Sequence, residues 1–346
     1  MSTRLILLEN TGRRRVALVE EPHLRLLDTD SIYSLAESAI RSGIRLSEAA
    51  KRSATADTLD YGPIHNGNSE WKILSPIDHP EPARCLISGT GLTHLGSARD
   101  RQAMHAHVLT VEQFEKLTDS MKMFRWGVDG GRPASGRIGT PPEWFYKGTG
   151  SMLRAHGEPL EIPSYAQDGG EKAEIAAIYI ISPDGSPRRV GMAIGNEFSD
   201  HCFEKENYLN LAASKLRTCA IGPELVLDPD FESVPGEVTI HRNGRPLWTK
   251  QIRTGEAEMC HSLQNIEHHH FKFEAHRKPG DIHVHFLGAD CLSFGEGVRL
   301  ADGDVMHIKF EGFGRPLRNP VRVDRIEPGL VSVSLWDKPL CRNRMS

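Results

Sequence analysis

An α+β fold is what this chain predicts, and three observations carry the prediction. A single clear amphipathic helix stands near the N-terminus. After residue 125 few segments have helical periodicity, and short apolar runs closed by turn residues take their place. The strongest of these turn signals, Asn243-Gly244, divides EVTIHR from RPLWTKQIR and reads as a β-hairpin.

Taken in order, RLILLE and RRVALVE alternate with polar breaks within residues 1–30 and suggest a small sheet. Ser31 is placed to cap a helix whose apolar positions, Ile32, Leu35, Ala36, Ala39 and Ile40, recur at helical spacing, and Gly43 is placed to end it. Residues 53–84 are rich in Pro, Asn, Gly and Asp and read as a connection, with a strand in WKILSPID (71–78). A soft boundary near 80 separates a small N-terminal α/β region, 1–80, from a larger strand-rich domain, 81–335. Cys85–Ser88 reads as a buried strand, and THLGSARDRQ starts a helix. Val111, Phe114, Leu117 and Met121 form a core-facing stripe, whereas His105 and His107 fall on the surface. FRWGVDGGRPASGRIGTPPE reads as a long loop, a lid or substrate loop; its glycine spacing does not fit a dinucleotide site. IAAIYII is a strand, PDG at 183–185 a turn, and GMAIGNEFSD the return strand.

Composition excludes several functions. The net charge is −4 with no basic tract, so nucleic acid is not the partner. No apolar run reaches membrane-spanning length, and the N-terminus lacks a cleavage-site pattern. Cys85, Cys202, Cys219, Cys260, Cys291 and Cys341 are scattered without Cys-x-x-Cys, which fits free thiols in a reducing cytoplasm and argues against cysteine-held zinc. Histidines 261, 268, 269, 270, 276, 283 and 285 crowd one stretch, but without HExxH spacing, which argues against zinc; one of them is a candidate for substrate contact, with packing or surface roles for the rest.

The chemistry concentrates in residues 141–224. A hairpin over 174–197 brings Glu174 and Glu197 together, and converging carboxylates suit a hard cation. These residues resemble the fumarylacetoacetate hydrolase superfamily. Glu174-Ile-Ala-Ala-Ile is similar to its metal phrase, Asn196-Glu197-Phe198-Ser199 to its Asn-Asp-Val-Ser, Lys215 with Gly222-Pro223 to its lysine phrase, Phe145-Tyr146-Lys147 to its Phe-x-Lys, and GDVMHIKFEGFGRPLRNPV (303–321) to its closing motif. The resemblance spans about 80–325 and is most specific to the sugar-acid branch, the 2-keto-3-deoxypentonate dehydratase-like proteins, through FYKG, GNEFSDH, EHHHFK and GFGRPLRNP.

That resemblance implies a β-rich catalytic domain of rolled, mixed sheets, a homodimer, and Mg²⁺ or Mn²⁺ held by Glu174 and Glu197. The implied reaction is removal of water from a 2-keto-3-deoxy sugar acid through a metal-stabilised enolate, giving a dioxo acid such as 2,5-dioxopentanoate. Lys147 would clamp the substrate, with Arg217 and Ser199 as further substrate contacts, and Lys215 or His94 would move protons. C–C bond hydrolysis of an acylpyruvate-type compound and metal-poor binding of a sugar acid are the other readings. Against hydrolysis, the family's His-x-x-Glu becomes His94 with Ser97.

One departure bears on all of this. The family's first metal glutamate falls at 172, where this chain has Lys172, on the same strand face as Glu174. Exchanging an anion for a cation changes the site by two charges, and one unit pair at ~4 Å is worth roughly 4 kcal/mol at an effective dielectric of 20. Either Glu171 substitutes through a bulge, or the Lys172 ammonium takes the metal's place and activity is altered, or the substitution inactivates the site.

Overall fold

The structure is a computed structural model that describes residues 2–336 except 97 and 100–117. Val111, Phe114, Leu117, His105, His107 and Cys341 lie outside the described residues. Strands in chain order are β1 Arg4–Asn10, β2 Arg13–Glu20, β3 His23–Leu27, β4 Ala54–Asp60, β5 Lys72–Ile73, β6 Cys85–Gly91, β7 Glu143–Thr149, β8 Leu153–Arg154 and β9 Leu160–Ile162. They continue with β10 Ala173–Ile181, β11 Pro187–Asn196, β12 Cys219–Ile221, β13 Leu225–Val226, β14 Val234–Arg242, β15 Arg245–Thr254, β16 Ile282–Phe286, β17 Val305–Phe310 and β18 Leu317–Val323. The principal helices are α1 Ile32–Ser42, α2 Leu46–Arg52, α3 Tyr61–His65, α4 Asp119–Gly130, α5 His201–Glu206, α6 Leu211–Ser214 and α7 Leu263–Phe271.

A large mixed sheet runs β4-β3-β2-β1-β13-β11-β10-β16-β6-β7, and a five-stranded sheet runs β15-β14-β17-β18-β9. β10 lies at the centre and is buried along its whole length, which is why it reads as an unbroken apolar run. Its side chains alternate between two cores. Ile175, Ala177, Tyr179 and Ile181 face the small sheet and α7, packing with Val238, Ile308, Phe310 and Ile266. Ala176, Ile178 and Ile180 face the opposite way, onto β1, β6 and α1 through Leu5, Ile87 and Leu35. The N-terminal strands extend the sheet that carries the site: β1 pairs with β13, and β13 pairs with β11.

Local signals account for several elements. Ser31 accepts a hydrogen bond from the Ser34 N–H and Gly43 closes α1 at φ 65°. Asn243 and Gly244 both have positive φ in the β14–β15 turn. Three expectations need correction. Residues 53–84 are more than a connection, since they contain the edge strand β4 and the helix α3. The expected loop from 124 is helical as far as Gly130, because α4 packs tightly: a Cβ on Gly127 would lie 2.6 Å from His261 Nε2. Tertiary contact overrides the low helical propensity of glycine there. The strand expected in 71–78 is reduced to Lys72–Ile73. No helix among the described residues is long and apolar enough to cross a membrane.

Candidate active site

The β10–β11 hairpin places the acidic pair. Its register sets Ala173 opposite Asn196 and Glu174 opposite Gly195. One step further, the Glu197 N–H donates to the Lys172 carbonyl at 3.0 Å, so Lys172 and Glu197 form a cross-strand pair. Lys172 also shares its strand face with Glu174. Three side chains therefore meet at the mouth of one hairpin. The segment before β10 must hug its neighbours to allow this: a Cβ on Gly169 would fall 2.5 Å from Phe198 Cζ, and one on Gly170 would fall 2.2 Å from His201 Nδ1.

Lysines surround Glu197. Lys147 Nζ donates to Glu197 Oε1 at 2.7 Å, while Lys172 Nζ and Lys215 Nζ each lie 2.9 Å from Oε2. Lys172 Nζ is also 3.8 Å from Glu174 Oε1, and Lys215 Nζ is 3.9 Å from Glu204 Oε2. The Phe145 ring lies under two of these ammoniums, Lys215 and Lys172, at 4.7 and 5.7 Å from its centroid. Lys147, Lys215, Glu174 and Glu197 are fully buried, and the Lys172 residue is 3% exposed.

The two carboxylates behave differently because their surroundings differ. Burial alone would raise Glu197, but the ammoniums of Lys147, Lys172 and Lys215 outweigh it and hold the group well below the usual carboxylate range. Glu174 is pushed up to about 7, first by burial and then by the nearby Glu197 charge, with Lys172 only partly offsetting this. Its Oε2 accepts from the Gly288 N–H at 2.7 Å, while Oε1 is buried without a hydrogen bond.

The other predicted residues are placed as follows. Lys147 sits at a β-bulge, since Ile87 pairs with Gly148 and Ser88 with Tyr146, which turns the lysine inward. Its ammonium donates to the carbonyls of Glu197, Phe198 and Lys215 as well as to the Glu197 carboxylate, so its three N–H groups are fully used. It acts here as a strut. Ser199 Oγ bonds both Glu197 and Lys215. Arg217 stands behind the cluster, against Asp200 and the Asp168 carbonyl. His94 lies between Thr93 Oγ1 and Thr254 Oγ1, and burial lowers its pKa to about 4, so its imidazole is neutral.

Glu171 is not brought to the pair. Both its oxygens are engaged by Ser293, one by the backbone N–H at 2.8 Å and the other by the hydroxyl at 2.6 Å. The alternation of the strand sends it to the other face, and no bulge reverses this. Its pKa is raised by burial. Sequence reading missed Glu204, Ser293, the Gly288 N–H and the three carbonyls on Lys147. Most of these are backbone groups or partners distant in the chain, which leave no motif.

Magnesium is not accommodated as the site stands. The space between Glu174 and Glu197 is bridged by the Lys172 ammonium, Glu171 is committed elsewhere, and among the described residues no group of three or more His, Cys, Asp or Glu could hold a metal ion. Several of the crowded histidines are held by other side chains. His285 is held by Ser88 and Thr90, and His270 Nε2 by His283 Nδ1.

No protein-family model matches the chain, and no curated protein matches it. Solved structures do. 2-Keto-3-deoxy-D-arabinonate dehydratase in its apo form superposes with a TM-score of 0.67 at 20% identity, covering 93% of this chain and 99% of that one. The same figures hold for that dehydratase complexed with magnesium and 2,5-dioxopentanoate. 2-Hydroxyhepta-2,4-diene-1,7-dioate isomerase from Mycobacterium marinum gives 0.57 at 15% identity, covering 94% of this chain and all of that one. At such identities the likeness is one of fold: the rich mixed sheets are of the fumarylacetoacetate hydrolase type, the fold implied by the motifs of the sugar-acid branch.

Proposed function

We propose that the chain is a hydro-lyase that removes water from a 2-keto-3-deoxy sugar acid. The observation that carries the reading is Glu174 beside the Lys172 ammonium at the hairpin mouth, in a fold shared with a dehydratase of that substrate class. A carboxylate that titrates near neutrality can both take and return a proton, while its neighbour Glu197 stays ionised and holds the lysines.

In this reading Glu174 Oε1 removes a C3 proton. The developing negative charge on the C2 oxygen is met by the Lys172 ammonium, already in place and buried where its charge is felt strongly. The C4 hydroxyl then leaves as water, taking the proton that Glu174 now carries and restoring its carboxylate; a pentonate gives 5-hydroxy-2-oxopent-3-enoate, which tautomerises to 2,5-dioxopentanoate. Lys215, hydrogen-bonded through Ser199, adds positive potential for the substrate carboxylate. The cluster is closed to solvent, so the elements covering it must part for substrate to enter. No step is assigned to a metal.

The test is direct incubation with D and L 2-keto-3-deoxypentonates, following the dioxo acid. Product with the parent and none with Glu174→Gln supports the reading; product unchanged in Glu174→Gln removes it. A second reading, a sugar-acid binder without turnover, is favoured by one observation: the lysines are already engaged with acidic partners. It predicts thermal stabilisation by these acids without product.

A further inference from the structure

We propose that Lys172 is the resident cation of this site, a tethered ammonium that replaces a free divalent ion and keeps such an ion out. This does not depend on the dehydratase reading, because it is tested by metal binding rather than by turnover.

Charge balance carries the inference. The buried cluster contains three ammoniums, Lys147, Lys172 and Lys215, and three carboxylates in ion-pair contact with them, Glu174, Glu197 and Glu204. Among the described residues, these three pairs of opposite charges cancel when all three carboxylates are ionised. Adding a divalent ion leaves two uncompensated positive charges in a space of low polarity, beside ammoniums held 2.9 Å from the very oxygen the ion would need. Position follows the same logic. Lys172 Nζ touches both hairpin carboxylates, Glu197 at 2.9 Å and Glu174 at 3.8 Å, which is where a shared cation would sit. The Phe145 ring faces this ammonium and presents no oxygen ligand, although a hard divalent ion requires oxygens.

The same count predicts what restores a metal. Lys172→Glu leaves two ammoniums and four carboxylates, a deficit of two charges that one divalent ion cancels. The new carboxylate shares a strand face with Glu174 and opposes Glu197 across the hairpin. Because the cation is covalently attached in the parent, its local concentration does not depend on metal supply.

The experiment titrates Mn²⁺ into the full chain, its Lys172→Glu variant and its Lys172→Gln variant, read by calorimetry and by Mn²⁺-dependent melting temperature. The parent is expected to show no saturable binding and no thermal shift. Lys172→Glu should bind roughly a hundredfold more tightly or better, with a rise in melting temperature that follows occupancy. Should Lys172→Glu not fold, Lys172→Gln carries the test, since removing the ammonium alone should make the melting temperature respond to Mn²⁺. Saturable Mn²⁺ binding by the parent that is lost in Glu174→Gln would overturn the proposal. Folded Lys172→Glu and Lys172→Gln proteins that both ignore Mn²⁺ would overturn it as well.

Discussion

Glu197→Gln is the most exposing perturbation of this architecture. The side chain changes little in shape, but three ammoniums lose the carboxylate that gathers them at 2.7, 2.9 and 2.9 Å. Their next contacts include Glu174 at 3.8 Å from Lys172, Glu204 at 3.9 Å and Ser199 Oγ at 3.1 Å from Lys215, and the carbonyls around Lys147. Removing one partner of a buried pair typically costs about 3–5 kcal/mol, because the other charge is left uncompensated. With three dependants rather than one, the upper end of that range is expected at pH 7. The assay is urea denaturation across pH. The folded-state pKa of Glu197 lies below its unfolded value, so its contribution is present above about 4.5 and is lost as pH falls through the folded pKa. The gap between parent and variant should therefore be widest near neutrality and close in acid. Adding Lys172→Met to Glu197→Gln should recover part of the loss by deleting one buried charge that has lost its nearest carboxylate. A variant within about 1 kcal/mol of the parent at pH 7, a difference ordinary for surface changes, would refute the cluster as described.

Three further outcomes follow from the same geometry. Glu174 has its pKa raised to about 7, so its contribution to stability is fully present below about 4.5 and lost as pH rises through 7; Glu174→Gln should flatten that decline by on the order of 1–3 kcal/mol between pH 5 and 8.5, and parallel curves would count against it. Lys147→Met should lower the melting temperature, as a strut would, yet leave the thermal shift caused by a 2-keto sugar acid; loss of that shift in folded protein would return Lys147 to the role of clamp. Gly314→Ala should cost more than Gly312→Ala, by about 1 kcal/mol or more in chemical denaturation, since both have positive φ but only at 314 does a Cβ meet the Glu224 carboxylate, at 2.3 Å.

The hairpin that joins Glu174 to Glu197 was legible because its signals are local: an unbroken apolar run, a Pro-Asp-Gly turn, and a second apolar run ending in an acid. The caps at Ser31 and Gly43 and the Asn243-Gly244 turn were legible for the same reason. The helix through Gly127 was not, because what favours it is contact with Cys260 and His261, far away in the chain. Nor was the edge strand β4, whose polar residues are largely exposed and carry no apolar alternation. At the site, the residue types were readable and their commitments were not. Glu171 looked available as a ligand until Ser293, 122 residues later, proved to occupy it. Lys147 looked free to clamp a substrate until a bulge turned it onto backbone carbonyls.

Glu224 ties distant parts of the chain together: it accepts from Arg4, from the Tyr61 hydroxyl and from the Arg315 N–H. The Arg4 contact alone spans 220 residues. During synthesis, β1 must therefore wait for some 220 further residues before its β13 neighbour exists. Until then β1 can pair with β2 along one edge and with β5 at Leu8 and Glu9 of the other, but the Arg4–Leu5 part of that second edge stays open. Such long-range closure slows folding and exposes strand edges to other chains. Yield from cells should accordingly depend on translation speed and chaperone supply more than the stability of the finished fold would suggest.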